Sequence, residues 1–117
     1  MARKRIDEAA GLAAVQQWAA GASDRNTVAT AVRYTLQALA DRVPGKSVEV
    51  RVPPYGAVQC IEGPGHTRGT PPIVIETDAD TWLRLATGGL GWEAARASGA
   101  VLASGGRANL DASTAPD

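Results

Sequence analysis

The sequence predicts an α+β domain in the order α-α-β-β-β-α-α-β: an antiparallel or mixed sheet of about four to five strands with helices packed on one face. Three observations carry this. Apolar residues recur every three to four positions as far as Val43, every second position from Ser47, and at helical spacing again after Glu76. Strands and helices are clustered rather than alternating, which argues against a doubly wound parallel sheet. The 117 residues suit one domain, since most domains run about 100–150 residues.

The elements follow in order. Residues 7–21 read as a helix with Leu12, Val15, Trp18 and Ala19 on one stripe and Gly21 as the stop. Residues 25–43 are the clearest helix: Val28, Val32, Leu36, Leu39 and Val43 share a face, Ser23, Asp24 and Asn26 are candidate N-caps, and Pro44-Gly45 ends it. The two helices form a hairpin. From Ser47, Val48, Val50 and Val52 alternate with Glu49 and Arg51, the pattern of a half-buried strand. Pro53-Pro54-Tyr55-Gly56 turns the chain into a second strand over 57–62, antiparallel to the first because the connection is short. Residues 63–72 are a loop by composition. Ile73-Val74-Ile75-Glu76 is a third strand, apolar as befits a central position. Thr77-Asp78-Ala79-Asp80 resembles a capping box, opening a helix over 78–87 that buries Trp82, Leu85 and Ala86 and stops at Gly88, where a left-handed ending is expected. A short helix at 92–98, a strand at 100–104 between Gly99 and Gly105, and one helical turn at 107–110 complete a single domain over 1–117. Residues 1–6 are expected to be a frayed N-terminus and 112–117 a polar tail.

Composition excludes several functions. With 12 Lys+Arg against 12 Asp+Glu, the chain lacks the basic excess of a general nucleic-acid binder. The single cysteine, Cys60, rules out an internal disulfide, and no Cys/His cluster has zinc spacing. No apolar run reaches the ~18–20 residues of a membrane span. Ile6-Asp7-Glu8 follows the basic start where a signal peptide needs an apolar stretch, so a cytoplasmic protein is expected. Apart from Lys4 and Lys46 the positive charges are all arginine. A GC-rich coding bias accounts for this; the sharper alternative is anion recognition by forked guanidinium groups.

Residues 76–110 carry a resemblance. Glu76 to Gly88 with its Leu85-Ala86-Thr87-Gly88 ending, then Leu90, Trp92, Ala94-Ala95, Gly99 and Val101-Leu102-Ala103-Ser104-Gly105, resemble the core of the sterol carrier protein family: a strand, a helix with a leucine–two-residue–glycine ending, a second helix, Gly, a strand and a Ser-Gly turn. The chain is also similar to the C-terminal domain of mycothiol-dependent maleylpyruvate isomerases, whose metal ligands lie in a separate helical domain. The resemblance implies a carrier fold. It also exposes a departure, because only seven residues, none of them large and apolar, follow Leu110 where the family has a further helix closing the lipid tunnel; a small, open or partner-completed cavity is expected.

The residues therefore point to a non-enzymatic module for a small apolar or amphipathic, lipid-like ligand. Trp82, Leu85, Leu90 and Trp92 are the candidate wall and Arg84 the candidate head-group contact. The competing reading is that both tryptophans simply fill the core. His66 and Arg68, in a Gly- and Pro-rich loop, are candidates for anion or ligand contact. Cys60 reads as a buried structural thiol, and Glu76, Asp78 and Asp80 as helix-start acids rather than a cation site. Arg96 and Arg107 have no assigned role. No cofactor is expected. The alternatives are an accessory domain acting with a separate metal enzyme in thiol-cofactor chemistry, and an oligomeric interaction domain, with a homodimer or a partner enzyme as the corresponding partner.

Overall fold

The computed structural model describes residues 5–62 and 73–104, with the side chains of 103 and 104 excepted. His66, Arg68 and the expected turn at 107–110 lie outside the described residues. The elements are α1 (Glu8–Ala19), α2 (Arg25–Arg42), β1 (Val48–Val52), β2 (Gly56–Cys60), β3 (Ile73–Thr77), α3 (Ala79–Ala86), α4 (Trp92–Ala97) and β4 (Val101–Ser104), in the predicted order.

Three of the helices start on an aspartate. Asp7, Asp24 and Asp78 accept the backbone N–H of Ala10, Thr27 and Thr81, at 3.3, 3.0 and 2.8 Å. Each satisfies a donor that the first helical turn leaves without an intrahelical partner. The Thr27 N–H, reinforced by the Thr27 hydroxyl, holds the Asp24 carboxyl below its ordinary range. The cap of α3 lies one residue beyond the expected capping box. Thr77 still belongs to β3, and its buried hydroxyl donates to the Ala100 carbonyl at 2.7 Å, bridging to the start of β4. Gly88 has φ +81°, the left-handed ending that α3 needs.

The sheet is four-stranded among the described residues, in the order β2-β1-β3-β4. β1 and β2 form the expected antiparallel hairpin, with Val50 opposite Val58, across a turn holding a cis Pro53–Pro54 bond. β3 runs parallel to β1, with Val50 opposite Ile75, and β4 closes antiparallel on β3. The sheet is thus mixed. Val48, Val50, Val52, Ile75, Thr77 and Val101 are all buried on one face, while Arg51, Gln59 and Leu102 are exposed on the other. Glu49 pairs with Arg51 on that open face.

Helices α2, α3 and α4 cover the buried face, and α1 packs on α2 from outside. The stripe expected for α1 is rotated. Leu12 is 45% exposed, and Gly11 and Ala14 are the buried residues. The reason is steric: a Cβ on Gly11 would come within 2.1 Å of the Tyr34 ring, so the helices meet where α1 has no side chain.

Trp82 ties α3 to α2. Its indole is buried, and Nε1 donates to the Thr35 hydroxyl at 2.8 Å. That hydroxyl donates in turn to the α2 carbonyls of Ala31 and Val32. At the other end of α2, Ile61 donates to Val43 O at 2.7 Å and accepts from Ser47 N at 3.0 Å, with φ +64°. A β-branched residue there is strained by about 1–3 kcal/mol, which the surrounding hydrogen bonds and packing offset. This clasp fixes the end of β2 to the link that leaves α2.

Two predictions follow from this packing. Thr35→Val, nearly isosteric, leaves the Trp82 N–H dry and without its acceptor, and should lower unfolding stability by about 1–3 kcal/mol, whereas Thr35→Ser should cost less; equal urea midpoints for wild type and the valine variant would contradict the tie. Cys60 is fully buried, and burial pushes its thiol up to about 11 from the ordinary 9.0. The unfolded thiol therefore ionises first, so the stability held in full below pH 9.0 falls as the pH rises towards 11. The stability difference between wild type and Cys60→Ala should change by about 2 kcal/mol over that range; a difference independent of pH would contradict it.

Candidate functional site

The segment leading into α1 is fastened to α2. Gln37 Nε2 donates to Ile6 O at 3.0 Å, and Ile6 N donates to Gln37 Oε1 at 2.9 Å. One amide thus satisfies both backbone groups of Ile6, as a neighbouring strand would. One residue earlier, Arg5 places both terminal nitrogens on the two carboxylate oxygens of Asp41. That hydrogen bond raises the Arg5 pKa and holds the Asp41 carboxyl below its ordinary range. Arg5 and Ile6, in the stretch the sequence assigns to a frayed end, are accordingly tied down.

This fastening creates a hollow of 290 Å³ between the N-terminal segment, α2 and the edge strand β2. Its floor is apolar: Ile6, Leu36, Ala40 and Val58. Its rim is charged, with Arg33 on one side and the Arg5–Asp41 pair on the other. Arg33 Nε donates to Tyr55 O at 2.9 Å, which fixes the guanidinium against the β1–β2 turn. Among the described residues, no carboxylate lies within ion-pair distance of Arg33. Two arginines and one aspartate give this rim a net charge of 2 − 1 = +1.

The residues singled out in the sequence are distributed otherwise. Trp82, Leu85 and Trp92 are 2%, 4% and 1% exposed and belong to the continuous core; Leu90 packs against it half-buried. The structure brings these four into one apolar cluster. Neither indole lines the hollow at α2. Arg84 is exposed in the last turn of α3, where a cation complements the helix dipole. Leu36 is common to both regions: it lines the hollow and belongs to the core cluster that contains Trp82.

Two other depressions are less suited to a small organic molecule. One, of 370 Å³, runs along Pro53, Glu76, Asp78 and Leu102 at the end of β3. It offers two carboxylates and one exposed leucine, and Asp78 already accepts from Thr81. The other, of 230 Å³, is a groove of alanine, threonine and amide side chains between α1 and α2. Among the described residues no group of three or more His, Cys, Asp or Glu side chains is placed to hold a metal ion, and no helix is long and apolar enough to cross a membrane.

Sequence reasoning missed Arg5, Arg33, Leu36 and Val58 as neighbours of one hollow. The arginine-rich composition was the one available signal, and it did not single out two of ten. No curated protein matches the chain. A protein-family model described as the bacterial SCP ortholog matches residues 24–115, from the N-cap of α2 to beyond β4. That span is more than three quarters of the sequence and takes in every strand and all helices but α1, so the chain belongs to the bacterial sterol carrier protein (SCP) ortholog family.

Proposed function

We propose that this domain is a non-enzymatic carrier module that holds one small apolar or amphipathic molecule between its sheet and its helices. The observation that carries this reading is the hollow of 290 Å³ between α2 and the sheet edge, apolar in its floor and charged at its rim, in a chain of a carrier family. Small-molecule sites typically measure about 300–1,000 Å³ and combine apolar walls with a few oriented polar groups. At about 30 Å³ for a water-sized group, this one holds roughly ten such groups. That suits a medium-length acyl chain or a single substituted ring.

The tryptophan cluster of α3 and α4 has a supporting role in this reading. Trp82, Leu85, Leu90 and Trp92 hold the two helices on the sheet, and Leu36, in the same core cluster as Trp82, also lines the hollow. A ligand that extends inwards from the hollow meets this cluster next. Arg84, His66 and Arg68 are further head-group contacts that the sequence suggests.

Native mass spectrometry of the freshly purified full chain, paired with tryptophan emission during titration with decanoate and 1-decanol, tests the function. The expected result is a single adduct of small-molecule mass per chain and a saturable emission change with at least one of the two amphiphiles. A chain that carries no adduct, and whose emission and mass stay fixed throughout both titrations, would falsify the carrier reading.

A further inference from the structure

We infer that Arg5 and Ile6 form a releasable strap across the hollow between α2 and β2, with the Gln37 side chain as its latch. The inference rests on the carrier reading for what passes the strap, and on the hydrogen bonds around Ile6 for the motion itself.

The strap is an addition to the part of the chain that matches the family. That match begins at residue 24, so Arg5, Ile6 and α1 all precede it. Among the described residues, Ala14 is the one buried core residue that this preceding stretch contributes; the others come from α2 onwards. Release of Arg5 and Ile6 therefore uncovers the hollow and leaves the core closed.

The latch is two hydrogen bonds, both between the backbone of Ile6 and a single amide. Neither belongs to the backbone ladder of α2 or to the sheet, so breaking them removes no bond of the fold beneath. Water can take over the freed groups, because the Gln37 amide and the Ile6 backbone are only part-buried. Opening then exchanges protein hydrogen bonds for water hydrogen bonds, a net change of about tenfold or less per bond in the opening equilibrium. The Arg5–Asp41 pair is a weaker fastening, since its side chains are 67% and 52% exposed and are screened by water and salt. The half-buried Ile6 side chain, which lines the hollow with Leu36 and Ala40, supplies the remaining hold. Chain ends held by so few groups open locally, ahead of global unfolding.

Thiol labelling of the full chain with N-ethylmaleimide tests the strap without any ligand. The reporter is Ala40→Cys, inside the hollow, in a Cys60→Ala background. Gln37→Ala should speed its labelling at least about tenfold. Gln37→Glu accepts from the Ile6 N–H but cannot donate to its carbonyl, and should fall between. Asp41→Asn, or ~1 M sodium chloride, should change the rate by less than about fivefold. Cys60 in the chain with Ala40 retained is the control: it is fully buried, and Gln37→Ala should leave its labelling as slow as in wild type. An Ala40→Cys rate that Gln37→Ala does not change overturns the strap. So does Cys60 labelling that rises in step, which shows the chain opening as a whole. Stopped-flow mixing with decanoate reads the carrier function separately: Gln37→Ala should speed both association and dissociation. Faster labelling with unchanged decanoate rates overturns the strap as the entry route, whereas failure of decanoate to bind any variant counts against the carrier reading alone.

Discussion

The indole of Trp82 must be dry on every side and hydrogen-bonded at its nitrogen, and the stacking of α3 on α2 above the sheet meets both conditions. Removing a buried side chain of this size typically costs about 3–5 kcal/mol, a large share of the ~5–15 kcal/mol that holds a domain of ordinary stability together. The Thr35 hydroxyl supplies the acceptor and passes its own hydrogen on to the α2 backbone. Position 35 therefore needs a residue that can accept and donate at once. With α3 so fixed, Leu83, Leu85 and Trp92 complete the cover over Val50, Val52 and Ile75. The sheet is left with one dry and one wet face.

The hollow follows from how far that cover extends. Helix α2 lies beside the edge strand β2 and is held at its C-terminal end by the hydrogen bonds around Ile61. The tryptophans fill the region between the sheet and α3. No tryptophan lines the space between α2 and β2, where β2 offers only Gly56, Ala57 and Val58 and α2 offers Ala40 beside Leu36. Small residues along the β2 wall leave room, and the chain preceding α1 roofs it through one glutamine and one ion pair. Apart from Leu36, which belongs to the core cluster, and Val58, which packs against it, the residues lining the hollow lie outside that cluster.

Much of the fold was legible in the sequence because local physics fixes it. Alternating valines at 48, 50 and 52 and the Pro-Pro turn specify the hairpin, and Asp24 and Gly88 specify helix ends. Three features were not legible, each for a reason beyond local pattern. The face of α1 turned out to be set by the missing side chain of Gly11 against Tyr34, which a count of large apolar residues overlooks. The direction of β3 depends on which edge of the hairpin it joins, and the twelve positions between Cys60 and Ile73 permit either. The cap of α3 shifted by one because Thr77 is engaged with Ala100. For the site, spacing placed Trp82 and Trp92 correctly on successive helices, but spacing does not distinguish a packed interior from a hollow one. The cleft joins residues 5–6, 33–41 and 56–58, three stretches with no shared motif, so nothing short of the tertiary fold brings Arg33 and Arg5 to the same rim.

A two-dimensional amide NMR titration of the full chain with decanoate tests most directly where the ligand sits. Saturating shifts should concentrate at Ile6, along the Arg33 to Asp41 stretch of α2 and at Gly56 to Val58, with a weaker response at the Trp82 indole N–H. Shifts centred instead on Trp92 and the helix around it, or an unchanged spectrum, would contradict the proposed cleft.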